Sequence, residues 1–122
     1  METTKLKTVD FEHEGRVYRL TCNMNVLADV QEAYDGKLLK ALNQTGGYKS
    51  TITFLAAMLT EAADSQSVAD ESGLPLRFRP REIGRTLSVQ EVNEIGHRIW
   101  PLIEAAVLGD GETNEPGEAE KN

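Results

Sequence analysis

The chain has 122 residues and a net charge of −7, with 39% hydrophobic and 27% charged residues. This is the size of one domain built on one core. No apolar run reaches the roughly 18–20 residues of a membrane span, the first residues lack the basic-then-apolar order of a secretory signal, and a lone Cys22 excludes a disulfide framework or an all-cysteine zinc site. A protein of a reducing compartment with no membrane partner is expected.

The charge is uneven. Residues 110–122 hold five acids and one base, for a net −4, and leave −3 for residues 1–109. That segment has no large apolar residue to offset its ordering entropy, so a disordered acidic tail or linker is expected there, after a single domain over 1–109. An acidic body with an acidic tail repels phosphate backbones, so nucleic acid is not an expected partner.

In chain order, residues 6–11 and 16–20 are short and rich in β-branched and aromatic residues, and the Glu12–Gly15 segment between them predicts a β-hairpin. Asn23 is a good N-cap for a helix carrying Met24, Leu27, Val30 and Tyr34 at helical spacing, ended by Asp35-Gly36 with Gly36 in the left-handed region. A short helix over 37–42 follows, then a loop over 43–49. Ser50 is placed to cap a helix over 51–63, whose apolar residues nearly encircle it and mark it as the most buried. Residues 65–76 read as a loop, and Pro80 starts a short helix to about Thr86. Ser88 with Glu91 forms a capping box for a last helix with an apolar stripe from Val89 to Val107, in which Pro101 predicts a kink or break near 97–101. The fold class is mainly α (α+β): a short N-terminal hairpin packed on four to five helices.

The sequence contains no constellation of catalytic, cofactor-binding or metal-ligating type. His13 lies between Glu12 and Glu14 in a turn, and the Glu94–His97 spacing of di-iron bundles occurs once rather than twice. Cys22 precedes a helix, where a thiol can be activated, against the simpler reading of packing at a strand-to-helix corner. No enzyme and no cofactor are expected.

Two groups suggest a protein interface. One is the basic run Arg77-Phe78-Arg79-Pro80-Arg81, with Arg85 a turn later. The other is the last helix, where Ile99, Trp100, Leu102, Ile103 and Val107 cover more than one face. Trp100 is there the leading candidate for a partner contact, flanked by Ile99 and Ile103, with plugging of the core against the hairpin as the other reading. Residues 81–99 also have the outline of a helix-turn-helix, but its second helix would present Glu91 and Glu94 to phosphates.

The run Phe11–Leu20, with its Gly-x-x-Tyr-x-Leu-like opening, leads into Asn23–Glu32 and then Asp35–Leu42. Over residues 9–42 this resembles the tail assembly chaperones of long-tailed bacteriophages and prophages; in the third and last helices only the order of elements matches. The resemblance implies a non-enzymatic protein of the host cytoplasm that binds the tape measure protein, helps recruit tail tube protein and is absent from the mature virion; self-association is a further possible interaction. It also implies a longer product made by translational frameshift, for which Lys121-Asn122 suits an A-rich slippery codon run. The alternative functions are a structural tail or head–tail connector subunit and, third, a small DNA-binding regulator.

Overall fold

The computed structural model describes residues 7–44 and 47–109, and the acidic segment 110–122 with Lys121-Asn122 lies outside the described residues. The order is β1 (Val9–His13), β2 (Arg16–Leu20), α1 (Met24–Ala33), α2 (Leu38–Leu42), α3 (Tyr48–Ser65), α4 (Pro80–Gly84) and α5 (Val89–Leu108). The expected hairpin-then-helices architecture is present, as an α+β fold with five helices among the described residues.

β1 and β2 pair antiparallel with Phe11 opposite Tyr18 and His13 opposite Arg16. The connection is only two residues long, because Glu14 and Gly15 both take positive φ (51° and 81°). Such a turn matches the right-handed twist of the strands it joins, and it carries β1 two residues past the predicted end at Phe11. The pleat then sorts the side chains. Val9, Phe11 and His13 share the inner face with Tyr18 and Leu20, the last two buried, while Asp10, Glu12, Val17 and Arg19 face out.

Asn23 caps α1, its side chain accepting from Val26 N–H at 3.1 Å while its amide donates to Glu61 at 2.7 Å, so one residue starts α1 and ties it to α3. At the other end Gly36 N–H reaches the Gln31 carbonyl at 2.8 Å and Asp35 N–H reaches Glu32 at 3.1 Å. In this Schellman pattern the left-handed C′ site belongs to Asp35 (φ 56°), with Gly36 (φ 85°) continuing the turn. The sequence expectation assigned that cap to Gly36 alone.

α3 is the centre of the molecule, and β2, α1, α4 and α5 all pack on it. It begins at Tyr48 with Gly47 as N-cap, three residues before the predicted start. Ser50 is therefore not the cap: it lies in the first turn, fully buried, with its hydroxyl 2.9 Å from the Tyr34 hydroxyl and donating to Gln44 Oε1 at 3.1 Å. At the far end of α3, Gln66 holds the free edge of β2, accepting from Arg19 N–H at 2.8 Å and donating to the Val17 carbonyl at 3.2 Å. An edge strand so occupied offers fewer unpaired groups to another chain. In the following loop the Asp70 carboxylate accepts from Ser72 N–H, the Ser72 hydroxyl and Leu74 N–H, and these bonds hold its pKa below the usual value.

α5 starts with the predicted capping box: Glu91 N–H donates to Ser88 Oγ at 3.1 Å and Ser88 N–H to Glu91 Oε1 at 2.8 Å. Of the kink or break expected near 97–101, no break occurs: α5 continues through Pro101 to Leu108. Proline removes one amide donor, but Ile99, Trp100, Leu102 and Ile103 on either side are all buried and clamp the helix onto the core. Gly96 makes the close approach to α3, its Cβ position lying 3.5 Å from Thr51 Cγ2, an ordinary van der Waals distance. Gly96→Ala therefore fits without displacement and relieves the entropic penalty of a mid-helix glycine. It is expected to raise stability by about 0.5–1 kcal/mol, read as a higher urea midpoint at unchanged slope.

Candidate functional site

Ile99 and Ile103 are fully buried and Trp100 is 7% exposed. The indole N–H of Trp100 donates to Thr51 Oγ1 at 3.0 Å, and its ring meets Phe54 edge-on at 5.3 Å between centroids. Ile99 and Ile103 are enclosed in the core, and Trp100 sits at the seam between α5 and α3 with one edge lining a cleft of about 430 Å³ beside Thr51, Gly96 and Pro101. Trp100 does plug the core, against α3 rather than against the hairpin. The periodicity of α5 could not separate an interface stripe from a wide core stripe, because α5 is buried along most of its apolar arc. Removing the indole leaves a cavity beside Phe54 and strands Thr51. Trp100→Ala is expected to cost about 3–5 kcal/mol, seen as a lower denaturation midpoint.

Phe78 is half-buried. Its ring lies edge-on to Tyr18 (5.5 Å) and to His13 (5.6 Å), its N–H donates to Thr60 Oγ1 at 2.9 Å, and the Thr60 hydroxyl donates back to its carbonyl at 3.4 Å. The residue anchors its loop to the hairpin and α3, and holds Arg77 and Arg79 exposed on either side. Arg79 is also the N-cap of α4, its N–H donating to Glu82 Oε1 at 3.2 Å.

Arg81 lines an open cleft of about 670 Å³ between α3, α4 and the end of α1. Its apolar parts are Ala33, Ile52 and Pro80; its cations are Lys49, Arg81 and Arg85, and among the described residues no carboxylate lines it. Arg81 and Arg85 stand four residues apart and so share one side of α4. Lys49 faces them from the first turn of α3, its ammonium 5.2 Å above the Tyr34 ring. None of the three has an ion-pair partner among the described residues. Gly84 keeps the cleft open: a Cβ there would lie 3.8 Å from Ile52 Cδ1. Arg85 was visible in the sequence as an extension of the basic run. Lys49 and Ile52 were not, since only the packing of α4 on α3 brings them beside Arg81 and Arg85.

A second cleft, of about 760 Å³, lies between the turn end of the hairpin and the start of α5. It is lined by Glu12, Glu14, Glu91 and Glu94, with Arg98 and His97 also at its edge. Among the described residues no group of three or more His, Cys, Asp or Glu side chains is placed to hold a metal ion. No described helix is long and apolar enough to cross a membrane.

No family model, curated protein or solved structure matches the chain.

Cys22 is buried at the β2–α1 corner, and burial pushes its thiol up to about 11. A group whose folded pKa is raised is protonated preferentially in the folded state, so the stability it contributes is whole below the unfolded value near 9 and is lost as pH rises toward 11. The helix N-terminus does not activate it. At pH 8 the native thiol is expected to resist a disulfide reagent that labels it promptly in denaturant, followed by release of the chromophore.

Proposed function

We propose that this chain is a non-enzymatic binding protein, a tail assembly chaperone that holds a tape measure protein during assembly in the host cytoplasm. The observation that carries the reading is the cleft between α3 and α4, with an apolar floor and three cations that have no carboxylate partner among the described residues. Arg77 and Arg79 are exposed in the loop that precedes α4. Such a trough suits an amphipathic helix that lays an apolar stripe on Ile52 and Ala33 and carries carboxylates along its flanks. A long apolar coiled protein offers many such helices. The resemblance over residues 9–42 and the shared order of elements support the same reading. Recruitment of tail tube protein and self-association belong to it as further proposals.

The test is co-expression with the long coiled-coil protein encoded beside this chain, followed by pull-down from the soluble fraction. A soluble complex, with the partner insoluble alone, is expected. Arg81→Glu combined with Arg85→Glu should weaken capture by about tenfold through charge reversal, and Gly84→Leu should weaken it by filling the cleft. Unchanged capture by both variants removes the cleft from the interface. Retention of the chain in purified particles at stoichiometric level points instead to a structural tail or connector subunit.

A further inference from the structure

The cleft between the hairpin turn and α5 has a composition opposite to that of the cationic cleft. Half-buried Phe11 and Leu87 and buried Ile95 form its apolar floor, and Glu12, Glu14 and Glu94 are exposed around it. The Glu91 carboxylate is engaged with Ser88 N–H, and Arg98 is the one cation among the lining residues. The volume, about 760 Å³, lies in the range of clefts that take a ligand or peptide side chains.

His13 is the second, independent feature. Its side chain is only 9% exposed, because the strand pleat turns it inward, where it stacks on Phe11 and meets Phe78 edge-on. It lines the cleft, yet its imidazole makes no hydrogen bond to any described residue. Its Nε2 lies 3.9 Å from Glu14 Oε2, beyond hydrogen-bond reach. A ring nitrogen on a side chain this enclosed gains from a hydrogen-bond partner. A donor entering between the two groups would satisfy the imidazole lone pair and the carboxylate together.

We propose that this cleft is a docking site for a lysine-bearing amphipathic segment of a partner protein, which seats apolar side chains on Phe11, Leu87 and Ile95 and places an ammonium between His13 Nε2 and the Glu14 carboxylate. Glu12 and Glu94 take further cations along the same segment. The site is separate from the cationic cleft and does not depend on the partner proposed for that one. The chain thereby holds two surfaces that select segments of opposite charge.

The experiment uses the full chain and a fluorescein-labelled synthetic helix of leucine and lysine, its lysines flanking a leucine stripe, with a companion peptide carrying glutamate in place of lysine. Anisotropy should show saturable binding of the lysine peptide, and amide chemical shifts should change at Phe11–Glu14 and Leu87–Ile95. The triple variant Glu12→Gln, Glu14→Gln, Glu94→Gln should weaken binding roughly tenfold. The variant Asp29→Asn, Glu32→Gln, Glu71→Gln makes the same change in charge at exposed positions outside the cleft and should alter it less than twofold. His13→Phe keeps the ring packing while removing the acceptor, and should lower affinity a further few-fold. Equal losses from the two triple variants would reduce the effect to overall charge and overturn the site. So would equal binding of the glutamate peptide, shift changes elsewhere, or association of the chain with itself in place of peptide binding.

Discussion

A helix buried on nearly every side must have each of its polar side chains answered by a neighbour, and α3 meets that constraint in a way that organises the whole molecule. Ser50 faces Tyr34 from α1 and Gln44 from the segment after α2; Thr51 accepts from Trp100 on α5; Thr60 holds both main-chain groups of Phe78. Thr53 turns back to the Lys49 carbonyl of its own helix. Each bond fixes the orientation of an element that apolar burial alone would leave free to rotate, since dispersion and hydrophobic contact have little directional preference. The apolar residues of α3 supply the driving force and its hydroxyls set the arrangement.

Local chemistry was readable where it is complete within a few residues. Asn23 as a cap, the Ser88–Glu91 box, the hairpin and the encirclement of α3 follow from patterns that span at most one element. The start of α3 was misplaced because serine is a strong cap in isolation, while the buried Tyr34 hydroxyl sixteen residues away is what Ser50 actually partners. Pro101 suggested a kink or break because the lost amide is a local penalty, whereas the burial that keeps the helix continuous comes from α3. Trp100 shows the same limit: nothing within α5 distinguishes a ring that covers a partner from one that covers Phe54 and Thr51. The cationic cleft was half legible, through the run from Arg77 to Arg85. Its opposite wall depends on the α3–α4 contact.

The chain is strongly acidic as a whole, yet its charges are separated in space. The cations on α4 and at the start of α3 line one cleft without an acid among them, and the carboxylates of the hairpin end and early α5 line another. Few of these groups pair with one another: among the described residues Arg19 approaches Asp10 at 3.9 Å, and His13 Nε2 lies 3.9 Å from the Glu14 carboxylate. Exposed pairs contribute little to stability, so leaving charges unpaired costs the fold little and keeps them available to orient an approaching molecule. Net charge alone pointed only to repulsion of anions, and its sum conceals a local positive field.

The parity of β1 links the core to the acidic cleft. Val9, Phe11 and His13 share one face because side chains alternate along a strand; Phe11 stacks on His13, His13 packs on Phe78, and both Phe11 and His13 line the cleft. A one-residue insertion or deletion ahead of the turn would exchange this face for Asp10 and Glu12, driving carboxylates toward Tyr18 and Leu20 while removing the imidazole. A change in strand length would thus disturb the core and the proposed docking surface together, whereas point substitutions among the exposed acids of the cleft leave the pleat unchanged.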